Sequence, residues 1–401
     1  MTTISLPAGT VPGTAEARAE RLSVRIADTL GAVEQTWRRL ESEAEASPYQ
    51  RFDWVAAYAA TCLTRREQFR IAILEDAGGR PALLLPLAIE RRHGLKVASP
   101  LGGKHANFNL PLMRAGLAPE PAEARALLAG IGREVGADLV VSHNAPITWR
   151  SIANPLAAGG QASPSNAYKL TLSFDAEATF ARVSSGLARK KLRHKERSLA
   201  KLGTVSFLEA RSEAEVDRIL AALWLQKSRR FQELGIDDPY ASPEAQEFVR
   251  CASLAGLDEG RPAIELHALL LDDAIVAAFG GAADARQLSG MFISFDDTSE
   301  AAKYSPGEIL VAHIIRGQCE RGRTAFDLGV GEARYKRIFC DEVEHLADMV
   351  VPVTTAGRVY GRLVSAGIEA KRRIKASPRA MRLLAQVRRM RAKRPAEVEP
   401  A

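Results

Sequence analysis

The chain has 401 residues, of which 46% are apolar and 26% charged, and it carries a formal net charge of +7. This composition excludes a disordered or collagen-like chain, and the length exceeds one ordinary domain, so we predict two globular domains. Eleven Lys or Arg and no acid lie between Lys371 and Arg394, so the basic excess belongs to the C-terminal tail.

The N-terminal segment and the cysteines predict a cytoplasmic protein without a metal centre. The first residues, MTTISLPAGTVPG, lack a basic stretch followed by an apolar one, and no run reaches 18 uninterrupted apolar residues. The cysteines are far apart and form no CxxC pair or Cys/His cluster. They are Cys62, Cys251, Cys319 and Cys340. We therefore expect reduced, mostly buried thiols and no metal.

The first half of the chain has a mixed α/β pattern. LSVRIA is typical of a strand, whereas GAVEQTWRRLESEAEA and RFDWVAAYAATCL are typical of helices. FRIAILED and PALLLPLAIERR, joined by a turn with two glycines, predict a hairpin. The irregular stretch SPLGGKHANFNLPLM, a helix in PEPAEARALLAGIGREVG and a buried strand in ADLVVSHN follow. We assign residues 1–20 to a flexible N-terminus and 21–168 to the first domain.

A second domain is predicted over residues 169–356, after the linker-like NPLAAGGQASPSNA. The strand pattern YKLTLSF leads into a basic helix, with a cap at Ser184 or Ser185 and an end at Gly203. After a helix in EVDRILAALWLQKSRRFQELG, three runs predict an antiparallel meander, namely AIELHALLL, AIVAAFGGAADA and QLSGMFISF. The two halves share an order of helices, hairpin, helix and strand, which favours a duplicated unit.

The stretch YSPGEILVAHIIRGQCERGRTAFDLGVGEARYKRIF contains the residue types most suited to ligand binding. Ser305–Gly307 opens a helix, where backbone N–H groups can bind phosphate, although an ordinary helix cap also explains these residues. The next strand is expected to end at Asp327 and to lead into a loop with Gly329 and Gly331. These glycines let the backbone approach a ligand closely, and a tight surface turn is the alternative.

The segment FDLGVGEARYKRIF resembles the motif that closes the catalytic domain of the CelD-type acetyltransferases of cellulose biosynthesis. That family belongs to the GNAT superfamily and is related to the FemAB peptidyltransferases. SPYQRFDWVAAYAA, ALLLPLAIERRHGLKVASPLGG and LARKKLRHKERSLAKLG resemble further parts of the family in the same order, over residues 45–345. The resemblance implies an α/β (α+β) fold of two tandem GNAT-like, acyl-CoA N-acyltransferase domains with mixed, largely antiparallel central sheets.

The resemblance also implies that acetyl-CoA or a longer acyl-CoA donates an acyl group to an amine or hydroxyl of an envelope sugar, a polysaccharide precursor or a lipid. In GNAT folds the pantetheine arm lies between two strands that separate, here SGMFISF and TAFDL. KYSPGEIL departs from the usual phosphate loop, because it keeps only one glycine. The expected cofactor-binding residues are Phe292, Ile293, Ser305, Pro306, Gly307, Gly329 and Gly331.

Three residues are expected to be catalytic under this resemblance. Tyr335 can donate a proton to the leaving sulfur, Asp327 can accept the proton of the acceptor or position it, and Lys336 can bind a phosphate or an anionic acceptor. Each residue also has an ordinary structural explanation: Tyr335 as a core contact, Asp327 as a turn cap and Lys336 as a solvated charge.

The basic helix and the segment LQKSRRF predict attraction of an anionic acceptor. A solvated basic face is the alternative. His267 is a secondary candidate for a base, and a hydrogen-bonded histidine in the sheet is the more ordinary explanation. The expected substrate-binding residues are Arg189, Arg193, Arg197, Lys227, Arg230 and His267. Neither segment has the pattern of a nucleic-acid-binding motif.

Residues 357–401 form a basic tail with apolar residues at helical spacing, which predicts peripheral contact with the anionic inner face of the cell membrane. A solubilising end or a nucleic-acid arm is the alternative, and the absence of interleaved aromatic residues disfavours base stacking. Two other functions stay open for the whole chain. One is FemAB-like transfer from aminoacyl-tRNA, and the other is a non-catalytic GNAT-fold scaffold in polysaccharide biosynthesis.

Overall fold

The computed structural model describes residues 3–6, 20–64, 67–117, 119–333 and 335–383. The chain divides into two compact units. Unit 1 consists of Met1–Lys169, Gly329–Glu332 and Glu342–Ala370. Unit 2 consists of Leu170–Leu328, Ala333–Asp341 and Lys371–Ala401. This division differs from the predicted domains 21–168 and 169–356, because the strand Leu346–Pro352, which falls in the predicted second domain, pairs within unit 1.

The first half of the chain supplies eleven strands and three α-helices to the described residues. The strands are β1 (Thr3–Leu6), β2 (Glu20–Ala27), β3 (Gln68–Glu75), β4 (Pro81–Arg92), β5 (Leu95–Pro100), β6 (Leu112–Met113), β7 (Leu139–Pro146), β8 (Thr148–Trp149), β9 (Ile152–Ala153), β10 (Gln161–Ala162) and β11 (Ala167–Thr171). The helices are α1 (Glu34–Glu43), α2 (Phe52–Thr61) and α3 (Pro121–Glu134), with a 3-10 turn at Pro48–Gln50.

The second half supplies seven further strands and seven α-helices to the described residues. The strands are β12 (Val205–Glu209), β13 (Ile264–Leu271), β14 (Ala274–Ala283), β15 (Gln287–Phe295), β16 (Ala325–Val330), β17 (Glu342–Glu344) and β18 (Leu346–Pro352). The helices are α4 (Ala176–Val183), α5 (Gly186–Leu199), α6 (Glu213–Leu234), α7 (Pro243–Leu254), α8 (Pro306–Glu320), α9 (Lys336–Phe339) and α10 (Thr355–Ala376), with a 3-10 turn at Glu300–Tyr304.

The sheet of unit 1 is mixed. Strands β2 to β5 pair antiparallel with their neighbours in sequence, and β7 then lies parallel to β5 after the crossover helix α3. On the other side of β7 the sheet continues with β18, antiparallel. Leu127, Leu128 and Ile131 of α3 are buried in the hydrophobic core that covers this sheet. Their spacing is that of a helix with one apolar face, as the sequence predicted.

The second sheet repeats the same connections. Strands β12 to β15 are antiparallel neighbours, and β16 lies parallel to β15 after the crossover helix α8. Strand β11 is next to β16 in this sheet. Four antiparallel strands, a helix and a parallel strand therefore occur twice along the chain, and the predicted meander and duplicated topology are confirmed.

Helix α8 buries one apolar face, which the sequence pattern indicated. Ile309, Leu310, Ile314 and Ile315 are at most 2% exposed and pack in the core of unit 2. Pro306 occupies the first turn, where its missing N–H costs nothing. The apolar periodicity and the helix-start residues thus fix both the position of α8 and the face that it buries.

Several boundaries differ from those predicted. Helix α5 is capped by Ser185, whose hydroxyl accepts from the Ala188 N–H, but it ends at Leu199 rather than Gly203. In the N-terminal segment assigned as flexible, Thr3–Leu6 forms β1, and residues 7–19 lie outside the described residues. The same holds for the tail from residue 384 onwards. None of the helices in the described ranges combines the length and hydropathy that a bilayer span requires.

None of the four cysteines, all within the described residues, forms a disulfide. Cys319 is buried and the other three are only partly buried, so the thiols are less enclosed than predicted. Within the described ranges no group of three or more His, Cys, Asp or Glu is arranged to hold a metal ion.

Candidate functional site

The site in unit 2 begins where strands β15 and β16 separate. Strand β15 pairs with β14 from Leu288 to Phe295, but it pairs with β16 only through Gln287–Ser289. Beyond Ser289, β15 continues for six residues without pairing to β16. The separation that the GNAT resemblance implied for these two strands is therefore present.

Glycines make this separation possible. The pairing of β14 with β15 shifts register between Gly280 and Gly281, which is a β-bulge. A Cβ at Gly280 would lie 2.0 Å from a ring carbon of Phe292, and one at Gly281 would lie 2.7 Å from the Ser289 carbonyl oxygen. No other residue fits these two positions without displacing its neighbours, and the bulge lies next to the point where β15 stops pairing with β16.

A cavity of about 470 Å³, which we call the splay cavity, opens at this separation. Successive side chains of a strand point to opposite faces. Phe292 packs against Trp224 of α6, whereas Ile293 lies 3.5 Å from the position of a Cβ on Gly307 of α8. Helices α6 and α8 thus cover opposite faces, and both line the cavity. Its lining residues include Gln226, Lys227, Arg230, Phe231, Ile293, Phe295, Ser305, Gly307, Glu308 and Tyr335.

A second cavity of about 490 Å³, which we call the α5 cavity, lies beside the first. It has an apolar floor and a basic wall, and Arg189, Lys191, Arg193 and Lys195 of helix α5 form that wall. The apolar lining residues include Phe180, Leu192, Ile338 and Phe339. Three residues line both cavities, namely Ser305, Glu308 and Tyr335.

Two of the residues shared by the cavities, Ser305 and Glu308, are held by contacts with helix α5. The Lys195 ammonium donates to the Ser305 hydroxyl at 3.0 Å and forms an ion pair with Glu308. Ser305 has a left-handed backbone, φ 56° and ψ 60°, between the 3-10 turn and α8. This conformation is uncommon for serine and is held here by the two flanking helical segments.

Tyr335 is the one predicted catalytic residue that lines a cavity. Burial, with a smaller contribution from Cys340, raises the pKa of its phenol to about 12. Tyr335 therefore keeps its proton at neutral pH, as a proton donor must.

Asp327 and Lys336 line neither cavity. Strand β16 continues to Val330, so Asp327 lies within the strand and not at its end, as the sequence had indicated. The Asp327 carboxylate is fully buried and accepts hydrogen bonds from Gln287 Nε2 and Ser289 Oγ, both at 2.8 Å. Lys336 is also buried. Their roles in proton transfer and anion binding stay predictions.

The predicted cofactor-binding residues divide into three groups. Ser305, Gly307 and Ile293 line the splay cavity, and Pro306 is buried in the first turn of α8. Phe292 points the other way, into an aromatic cluster with Trp224 and Tyr240. Gly329 and Gly331 have φ of 71° and 102° at the end of β16, which requires glycine, and they group with unit 1.

The predicted substrate-binding residues are also divided. Lys227 and Arg230 line the splay cavity, and Arg189 and Arg193 line the α5 cavity. The Arg189 guanidinium donates to the Ser184 carbonyl at 2.6 Å, which ties it to the end of α4. Arg197 is exposed and lines neither cavity.

Lys227 is the most unusual of these cations. Its ammonium lies 4.9 Å from the centre of the Phe231 ring and 5.8 Å from that of Tyr240. Burial lowers the pKa of Lys227, although Asp238 opposes the shift. No carboxylate within the described residues forms a salt bridge with Lys227. A cation of this kind, held on aromatic faces in a cavity, suits an anionic ligand.

His267 lies away from both cavities, on β13. It is 6% exposed, and its Nε2 lies 3.4 Å from Glu265 Oε2, in a cluster that includes Arg321 and Arg323. His267 is therefore placed as a hydrogen-bonded histidine within the sheet, which was the alternative to a catalytic base.

Sequence reasoning missed two arrangements. The Lys195–Glu308 pair joins helices 113 positions apart and leaves no local pattern. In unit 1, His143 Nδ1 lies 3.1 Å from the buried carboxylate of Asp348, which also accepts from Asn144 N–H at 3.0 Å. Burial opposes ionisation of Asp348, but these hydrogen bonds outweigh it and lower the pKa of that carboxyl.

Comparison with known proteins supports the fold. Residues 187–337 match the family described as acetyltransferase (GNAT) domain. Among solved structures the chain is similar to FemX, at 9% identity and a TM-score of 0.55 over 86% of this chain and 100% of that one. It is also similar to the C-terminal domain (DUF2156) of a putative lysylphosphatidylglycerol synthetase from Agrobacterium fabrum, at 12% identity and a TM-score of 0.51 over 85% and 96%.

A third similar structure is a tandem GNAT protein from the clavulanic acid biosynthesis pathway, at 11% identity and a TM-score of 0.45 over 83% of this chain and 99% of that one; no conclusion depends on it. No curated protein sequence matches the chain. At these identities the structural likeness concerns the fold alone. Together with the repeated topology and the separated strands, it identifies the chain as a mixed α/β protein of the GNAT fold, with a GNAT domain at residues 187–337.

Proposed function

We propose that the chain is a GNAT-type acyltransferase whose donor, acetyl-CoA or a longer acyl-CoA, binds at the splay cavity. The acceptor is an amine or hydroxyl of a cell-envelope sugar, a polysaccharide precursor or a lipid. The observation that carries this proposal is the cavity itself, which is lined from both faces of the sheet because β16 pairs with only three residues of β15. Within this class, we propose the CelD type, because the sequence motifs resemble that family.

The residues at the splay cavity fit an acyl-CoA in two respects. The strand edge of β15 over residues 291–295 offers backbone groups to a pantetheine arm, as an added strand would pair. At the α8 N-terminus, Ser305 and Gly307 line the cavity and the helix dipole favours a phosphate. Glu308 opposes that preference, but its charge is offset by Lys195.

A bound acyl-CoA would supply an acyl group activated as a thioester. Transfer forms a bond from acyl carbon to acceptor nitrogen or oxygen and breaks the carbon–sulfur bond. Tyr335 holds a proton at its phenol oxygen and lines both cavities, so it is placed to protonate the departing sulfur. Lys227 can neutralise negative charge on the donor or the acceptor in the splay cavity. The acceptor nitrogen or oxygen releases its proton to solvent, and solvent returns a proton to the Tyr335 phenolate, so the products are the acylated acceptor and the free CoA thiol.

The second candidate is transfer from aminoacyl-tRNA, as in the FemAB peptidyltransferases. The exposed cations of α5 favour it, because Lys191 and Arg193 line the α5 cavity and Lys190 and Arg197 extend the basic surface. The similarity to FemX and to the lysylphosphatidylglycerol synthetase domain is compatible with this candidate. The third hypothesis is a non-catalytic scaffold, which predicts that none of the donors binds.

Thermal unfolding of the purified chain against a panel of donors tests these candidates. The panel is CoA, acetyl-CoA, long-chain acyl-CoAs, acyl carrier protein and aminoacyl-tRNA. At a donor concentration of 100 Kd, binding adds about 2.7 kcal/mol to the free energy of unfolding. The proposal expects a rise with acyl-CoA that Lys227→Met weakens and that Arg197→Gln, outside both cavities, does not change. A rise with aminoacyl-tRNA alone would support the second candidate, and no rise with any donor would overturn both.

A further inference from the structure

Helix α10 has one face fixed against the sheet of unit 1. Tyr360 and Val364 pack on Val97, Leu139 and Val141. Gly357 and Gly361 lie on the same side, where a Cβ at Gly357 would be 1.9 Å from the Asp138 carbonyl oxygen. The first turn is further tied down by the Thr354 hydroxyl, which donates to an Asp138 carboxylate oxygen at 2.8 Å. The opposite face of α10 must therefore point outward.

That outward face is apolar. Val359 is 63% exposed, Leu363 is 66% exposed and Ile374 is 47% exposed. These residues are four and eleven positions apart, which places them on one side of an α-helix. Single exposed apolar residues are ordinary on a protein surface, but a continuous stripe opposite a packed face marks an interaction surface.

The charges of α10 indicate the kind of partner. The helix carries six Lys or Arg and one acid, Glu369. Exposed Arg358 and Arg362 lie beside the stripe, and exposed Lys371 precedes Ile374. Two copies of this face would bring cations together, so self-association is disfavoured. An anionic surface that also accepts apolar side chains complements the face in both respects.

We propose that α10 lies in the surface plane of an anionic lipid bilayer, with Val359, Leu363 and Ile374 inserted among the acyl chains and the flanking cations at the level of the lipid phosphates. The helix has 22 residues and is about 33 Å long, which gives a continuous contact line along the bilayer. This inference does not depend on acyl transfer.

Vesicle flotation of the full chain tests the proposal. The probes are vesicles of phosphatidylcholine alone and of phosphatidylcholine mixed with phosphatidylglycerol. We expect flotation with the anionic vesicles only, weakened by salt. The double variant Val359→Ser/Leu363→Ser should lower partitioning at least about tenfold, since it removes two large apolar side chains from the contact. The matched control Ile147→Ser/Leu225→Ser replaces two residues 52% and 54% exposed elsewhere and should float as the parent does.

Each other outcome overturns the proposal. Equal flotation of the double variant and the parent would show that the stripe does not insert. Competition by duplex RNA, with no effect of the serine substitutions, would show a phosphate-binding arm instead. A parent dimer that the double variant converts to a monomer would show a self-association face. Two controls accompany these measurements. An unchanged unfolding temperature of the double variant shows that it is folded. A retained increase of that temperature with donor shows that donor binding, and hence the proposed function, is not affected.

Discussion

The substitution Glu265→Gln tests the electrostatics of the core of unit 2. Glu265 has 4% of its side chain exposed, and its carboxylate accepts from Arg323 at 2.6 Å and from Arg321 at 3.3 Å. The substitution keeps the shape of the side chain and removes the charge. Arg321 keeps Glu209 as a second partner, but Arg323, 11% exposed, loses the carboxylate it contacts. Breaking a buried pair in this way costs about 3–5 kcal/mol.

The effect should depend on pH in a defined direction. Burial opposes ionisation of Glu265, but His267 and the Arg323 guanidinium outweigh it and lower the pKa of the carboxyl below its ordinary value of 4.5. A lowered carboxyl pKa means that the ionised form stabilises the folded state. Its contribution is therefore fully present above about pH 4.5 and is lost as the pH falls further through the lowered pKa.

Native-state hydrogen exchange of the peptide over residues 264–271 measures the opening free energy of β13 directly. The control Glu300→Gln removes an exposed pair with Lys303, whose side chains are 64% and 71% exposed, and should cost under about 1 kcal/mol. If Glu265→Gln costs no more than that control at neutral pH, or if its cost does not shrink in acid, the buried pair does not stabilise unit 2 as argued.

Three further predictions follow from individual contacts. Tyr335→Phe should lower turnover by about 10²–10⁴-fold and leave donor affinity nearly unchanged. Steady-state kinetics with the donor identified by thermal unfolding measures both quantities, and equal turnover of variant and parent would exclude Tyr335 as the acid. Gly280→Ala should lower the free energy of unfolding, measured by urea titration, by about 1–3 kcal/mol or more, because its Cβ meets the Phe292 ring. Gly317→Ala in α8, where a Cβ meets no atom within 4 Å, should raise that free energy by about 0.5–1 kcal/mol; equal effects would contradict the role of the bulge. Asp348→Asn should cost about 1–3 kcal/mol at neutral pH and less in acid, since hydrogen bonds to the buried carboxylate lower its pKa; a pH-independent cost would refute this.

The local sequence pattern was sufficient to predict individual helices and strands, but not which strands pair with each other. The periodicity of β13 to β15 and the Ser-Pro start of α8 predicted those elements and the meander. The pattern could not show that β16 runs past Asp327 to Val330, because the glycine after it resembles a loop opening. Nor could it show which strand lies beside β7, since that choice depends on residues 200 positions further along the chain.

For the candidate site, too, individual residues could be predicted from the sequence, but their contacts with distant residues could not. The basic helix and Tyr335 were predicted from composition and motif, and both line cavities. Lys195 was part of the predicted helix, but its contact with Ser305 depends on how α5 packs on α8, which no local spacing encodes. Asp327 was predicted at the surface of a site and lies in the sheet interior, because its strand alternation places it opposite Ser289.

The pairing of β18 with β7 has a consequence for synthesis of the chain. Strand β7 ends at Pro146, yet the strand that covers it begins at Leu346. On a ribosome one side of β7 therefore stays unpaired until residues 346–352 have been made, whereas unit 2 has most of its strands earlier. The sheet of unit 1 is then completed after most strands of unit 2 have been synthesised, although most of its own sequence is read first, and chains shortened before residue 346 should expose β7 to aggregation.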